Sequence, residues 1–181
     1  MSLEPGPHTR VIPVRARISE QTPRDLVGVD LLVARLASRG MALDAPVEGR
    51  RGPFGITSWQ DDLDASRQLL ETLAARAAEL VRAGSCCVTV ASDCAVAIAT
   101  LPAVAAVHPG LRVLWLDAHS DYDTPTTTTY SFLGAMSLAG ATGAWDTGLG
   151  AIAPERIVLC GARPREGDSM QRRRQPWRRA P

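Results

Sequence analysis

Three short apolar runs constrain this chain more than any other feature: CCVTVAS at 86–92, LRVLWLD at 111–117 and RIVLCGA at 156–162. None alternates polar with apolar residues over its length, so each reads as a buried strand covered on both faces. Helical patterns precede and separate them. In DDLDASRQLLETLAARAAELVRAG (61–84), Leu63, Leu70, Leu73, Ala77 and Leu80 recur at helical spacing, with acids in the first turn and Arg82 and Gly84 at the end. A helix is expected from about Ala95 to Thr100, in an apolar stretch interrupted by Pro102, and another within SFLGAMSLAGATG (131–143). Helix alternating with strand is the pattern of a parallel α/β sheet.

The N-terminal part is less regular. RVIPVRAR (10–17) has strand-like content, with Pro13 expected to place it at a sheet edge or shorten it. PRDLVGVDLLVARLASRG (23–40) suits a helix carrying Val27, Leu31, Leu32 and Leu36 and ending on Gly40. Residues 41–60 read mostly as loop. The 181 residues, 45% hydrophobic and 22% charged, suit one domain with a sizeable core. No apolar run approaches the roughly 18 residues of a membrane span. The four cysteines show no CxxC spacing and the N-terminus shows no secretory signal, which points to reduced thiols and a cytoplasmic location. Trp115 is expected in the core, His108 in a surface turn, and Asp61, Asp62 and Asp64 as helix-start charges.

Functional groups in parallel sheets cluster where strands end at their carboxyl edge. Two candidate stretches stand there, ASDC (91–94) and DAHSDYD (117–123). Extended backbone through the second would aim Asp117, His119 and Asp121 at one face. Acids so close repel one another in a dry cleft, and a divalent cation removes that penalty. The same residues also suit a plain cap-and-turn cluster, and spacing alone does not choose between the two.

LDAHSDYDTPTTTT closely resembles the second metal motif, DAHxDxxTP, of the arginase/agmatinase/formimidoylglutamase (ureohydrolase) family, and ASDCAVAIAT resembles its first, GGDHSxxxGT. The resemblance spans about Cys86 to Gly161. It implies a three-layer α/β/α parallel sheet of the arginase/deacetylase type, and hydrolysis of linear C–N bonds in a guanidino or amidino compound by metal-activated hydroxide. It also implies a two-ion Mn2+ centre, with Asp117 bridging the metals, His119 on one and Asp121 on the other. Asp93 would lie beside the site and Asp123 would face the small-molecule substrate. Homo-oligomers are common in the family.

Four features depart from that pattern. Cys94 replaces the histidine ligand of the first motif, which leaves three readings: a weak or altered ligand, a packed neutral thiol, or a nucleophile lacking any assignable base. Ala91 and Ser92 replace glycines, which would strain a turn that needs positive φ. Tyr130, Phe132 and Gly134 stand where arginases grip arginine, so arginine itself is not the expected substrate. The third motif, SxDxDxxDP, has no counterpart, and the sheet is expected to be incomplete at the C-terminus. Residues 1–162 are therefore expected to form a partial arginase-like domain, holding one Mn2+ or none in place of two. Residues 163–181 read as a disordered tail. Every basic residue in the chain is Arg, and seven of the 20 lie in this tail, a density that nucleic acid could use but that more often marks a solvated run. The alternative to a hydrolase is a non-catalytic, truncated homologue.

Overall fold

The structure, a computed structural model, describes residues 8–19, 26–50 and 58–163. The expected tail from Pro164 onwards, and residues 23–25 of the expected first helix, lie outside these.

A parallel sheet is built around strand β1 (Thr9–Arg15). One edge of β1 pairs continuously with β4 (Cys86–Val90), from Thr9 opposite Cys86 to Pro13 opposite Val90. Its other edge pairs with β2 (Ala42–Leu43) and then β3 (Val47–Glu48), two short pieces found within the segment expected to be loop. The register slips by one residue between those pieces, Val11 facing Leu43 but Val14 facing Val47. The edge expectation for β1 is thereby corrected: it is central, with Val11, Ile12 and Val14 fully buried. Pro13 is tolerated for a local reason. The carbonyls of Val11 and Arg15 accept from Asp44 and Gly49 on the β2/β3 side, so the N–H that Pro13 lacks would point at the break between them.

Helix α1 (Val27–Ala37) covers one face of this sheet and helix α2 (Trp59–Arg82) the other. α1 turns Val29 and Val33 inward against Val11 and Val90; of the stripe suggested by spacing, Leu36 packs there too, while Val27, Leu31 and Leu32 are exposed. α2 begins with a reciprocal cap between Ser58 and Asp61, and buries Leu63, Leu69, Leu70, Leu73 and Ala77. Asp62 stands in the first turn of α2 as expected of a helix-start charge, yet is 1% exposed and makes a 2.8 Å ion pair with Arg50. Helix α3 (Ala97–Val107) packs along α2 and continues through the buried Pro102, past the interruption expected there. Helix α4 (Ser137–Ala141), entered by a 3-10 turn over Leu133–Met136, packs against α3.

The second and third apolar runs form their own parallel pair, β5 (Val113–Leu116) with β6 (Ile157–Cys160). Among the described residues, neither is bonded to β4. Val113, Trp115 and Ile157 pack on the core, but Leu114, Leu116 and Val158 are 61%, 73% and 55% exposed. The expectation of strands buried on both faces is met on one face only. An open groove of about 350 Å3 separates the unpaired edges of β4 and β5, with Cys87, Thr89 and Val113 on its walls and Ala77, Thr100 and Val104 beneath. Among the described residues, no helix is long and apolar enough to cross a membrane.

Candidate metal centre

Both candidate stretches follow the carboxyl ends of strands, ASDC after β4 and DAHSDYD after β5. After β4, Asp93 caps the turn leading to α3, its Oδ1 accepting from the Ala95 N–H at 2.7 Å. Its Oδ2 accepts from the Ser19 N–H at 2.9 Å and from the Ser19 hydroxyl at 2.6 Å. The Gly134 N–H in turn donates to Ser19 Oγ at 3.0 Å. Asp93 thus has both oxygens occupied and ties three segments together, the end of β1, the start of α3 and the turn before α4. Gly134 suits that approach, since a Cβ there would come within 2.6 Å of the Phe132 ring. Ala91 and Ser92 are not strained, because the non-glycine residues with positive φ are Asp121 and Ser131.

After β5 the backbone is held by β6 for two more residues: the Asp117 N–H donates to Cys160 O at 3.1 Å and the Arg163 N–H to Ala118 O at 3.0 Å. Gly161, at φ 89°, passes so close that a Cβ would lie 3.1 Å from the Asp117 carbonyl oxygen. Extended geometry then stops. Asp117 Oδ1 accepts from the His119 N–H at 2.8 Å, which bends the chain. Asp121 adopts φ 48°, and its carbonyl accepts from the N–H groups of Leu138 and Ala139 at 2.8 and 3.1 Å, fastening it to the start of α4.

That bend changes which side chains meet. Cys94, Asp117 and Asp121 come together, with one ligand atom from each within 4.8 Å of the others. Among the described residues this is the one such group of His, Cys, Asp or Glu. His119 lies outside it, exposed, with Nδ1 3.5 Å from Asp117 Oδ1. Asp123 is also outside the group, half-buried, its N–H donating to Ala135 O at 3.0 Å. Period-two spacing brought His119 forward only on the premise that the strand continued to Asp121, and the Asp117 turn and the Asp121 φ break that premise.

Asp121 is 7% exposed, and its Oδ2 has no hydrogen-bond partner. Burial pushes its carboxyl up to about 7, with the Asp117 carboxylate adding to the effect. Cys94 is exposed as a residue, yet its sulfur stands among the acids, 3.9 Å from Asp117 Oδ2. Burial, then the Asp121 charge, pushes its thiol up to about 12. The metal-free thiol is therefore neutral, which argues against the nucleophile reading. A buried carboxylate oxygen beside a second acid and a thiol is a donor set that could hold a divalent cation. The trio could hold one ion; donors for a second are not grouped among the described residues.

Spacing pointed to Asp117 and Asp121, but nothing marked Ser19, and Gly134 stood out only as a departure from the family pattern; their roles depend on contacts 74 and 115 residues apart.

The family model "Arginase family" matches residues 38–177. An N(omega)-hydroxy-L-arginine amidinohydrolase of Streptomyces lavendulae is 38% identical over 131 residues, 72% of this chain and 48% of the relative. An arginase of Bacillus caldovelox is 33% identical over 109 residues, 56% of this chain and 36% of the relative. In structure, the Bacillus caldovelox arginase aligns over 91% of this chain and 62% of its own, with a TM-score of 0.68 at 24% identity. The chain thus spans about half the length of the curated relative it matches over most of its residues. Two strand-end stretches that meet at one acid–thiol cluster, a parallel α/β sheet and a family match across most of the chain lead to one conclusion: the chain belongs to the arginase family.

Proposed function

We propose that this chain carries part of a metallohydrolase site that cleaves a C–N bond of a guanidino or amidino compound. The observation that carries this reading is the unpartnered, buried Asp121 oxygen beside Asp117 and Cys94 at adjoining strand ends. When bound, a divalent cation supplies a water-derived nucleophile at near-neutral pH. Asp117, Asp121 and Cys94 would hold it, while Asp93 keeps the first turn in place through Ser19 and Ala95. The carboxylate of Asp123 supplies negative charge that attracts a guanidinium cation. His119 is proposed as a further ligand on the family pattern alone, reached by rotation of its exposed ring.

The 38%-identical relative is named for N(omega)-hydroxy-L-arginine, and others are arginases, which makes substituted guanidines the first compounds to try. The test incubates the metal-loaded chain with arginine and N(omega)-hydroxy-L-arginine and measures ornithine. Ornithine release that is lost in Asp117→Asn and in Asp121→Asn supports the proposal. Metal uptake without ornithine from either compound would instead support a non-catalytic homologue.

A further inference from the structure

The proposed hydrolase does not explain why two strands of one molecule leave their edges open towards a single groove. We infer that the groove between β4 and β5 seats an extended, apolar β segment of a second polypeptide, and that the sheet of this chain is completed by that partner. The inference rests on the gap in the sheet and is independent of the metal site.

Four observations support it. The first is backbone chemistry. β4 bonds to β1 along one edge and β5 bonds to β6 along one edge, and among the described residues no strand bonds to either on its other side. An extended segment laid in the groove supplies backbone partners to such edges, as strand addition does wherever a sheet is open. The second is the lining. Cys87 and Thr89 of β4 and Val113 of β5 flank a floor of Ala77, Leu101 and Val104, which suits a strand packed on helices. The third is incomplete packing at β5. Trp115 buries its indole N–H with no acceptor, and Leu114 and Leu116 stand exposed. The fourth is what can fill the gap. Residues 164–181 contain no apolar run like those at 86–92 and 111–117, so they are not the occupant. The Bacillus caldovelox arginase aligns with 91% of this chain but over only 62% of its own length, so that fold includes a stretch with no counterpart here. A polypeptide carrying such a stretch is the partner that fits.

The test co-expresses the full chain with a tagged fragment of the 38%-identical relative, made of the residues that follow its 131-residue match. A one-to-one complex is expected by size exclusion with light scattering. Hydrogen exchange of the amides in Cys86–Val90 and Val113–Leu116 should slow at least about tenfold in the complex, with exchange in α1 unchanged. Thr89→Arg sets a charge on the groove wall and should weaken the complex at least about tenfold. Leu31→Arg, on the exposed face of α1, should leave it intact. Should Thr89→Arg fail to fold, the exchange pattern of the wild type decides. No complex, a complex without slowed exchange in β4 and β5, or equal weakening by both substitutions would each overturn the inference. So would a chain that closes these edges by pairing with a second copy of itself. A complex with slowed exchange and no ornithine release upholds the inference and counts against the hydrolase. Ornithine release from the chain alone, with no complex formed, does the reverse.

Discussion

The two parallel strand groups of this molecule are built from similar apolar runs and end up in unlike surroundings. β1 has neighbours on both edges and helices on both faces, and its Val11, Ile12 and Val14 are completely buried. β5 and β6 have each other and one packed face, while Leu114, Leu116 and Val158 stand exposed on the other. An apolar run therefore records what a strand is suited to, and the contacts it makes depend on what lies alongside. The acid–thiol trio belongs to both groups, Cys94 following β4 and Asp117 and Asp121 following β5. The well-packed half supplies the anchored turn through Asp93, and the barer half supplies the carboxylates.

The contrast can be tested by substitution, taking the largest expected effect first. Leu73→Ala, beneath the β1 sheet at 0% exposure, should cost about 2–5 kcal/mol in denaturant unfolding. A smaller loss would mean that this half is not the packed core described. Ser19→Ala removes the hydroxyl that donates to Asp93 and accepts from Gly134, and should cost about 1–3 kcal/mol. Co2+ affinity should fall with it, since the first turn loses an anchor.

Asp121→Asn should act in the opposite direction in chelator-treated protein. The Asp121 carboxyl titrates near 3.8 when unfolded and about 7 when folded, so between those values the native state holds a proton that the unfolded state has released. Stability from this group is therefore present at low pH and lost as pH rises towards 7. The asparagine variant should lack that decline and exceed the wild type by roughly 1–2 kcal/mol at pH 8. A parallel fall of the two thermal midpoints with pH would count against this. The smallest effect is reserved for the bare face: Leu116→Ala, at a site 73% exposed, should change stability by no more than about 0.5 kcal/mol. A loss approaching that of Leu73→Ala would erase the distinction between the halves.

Much of the fold was legible because it rests on local periodicity. α2 carries acids at its start and leucines at helical spacing, and each of these acts within a few residues. The three apolar runs are strands, and the two acid-bearing stretches do follow the first two of them. Less legible were features settled by distant partners. Pro13 argued for an edge, yet β1 is central because the break between β2 and β3 falls where its N–H is missing. In α1 spacing pointed to Val27, Leu31, Leu32 and Leu36, and contact with Val11 and Val90 chose Val29 and Val33, with Leu36 alone of the expected four beside them.

By itself, then, the sequence determined the α/β class, the helices with strong periodicity, and the positions where metal-seeking side chains follow strands, since those depend on chain-local spacing. Only the tertiary structure decided which of those side chains converge. The Asp117 turn and the positive φ of Asp121, fixed by bonds to Leu138 and Ala139, leave His119 outside the cluster and set Asp121 beside Cys94. Convergence depends on backbone direction beyond the strand end, and that direction is set by hydrogen bonds to distant segments that local spacing does not encode.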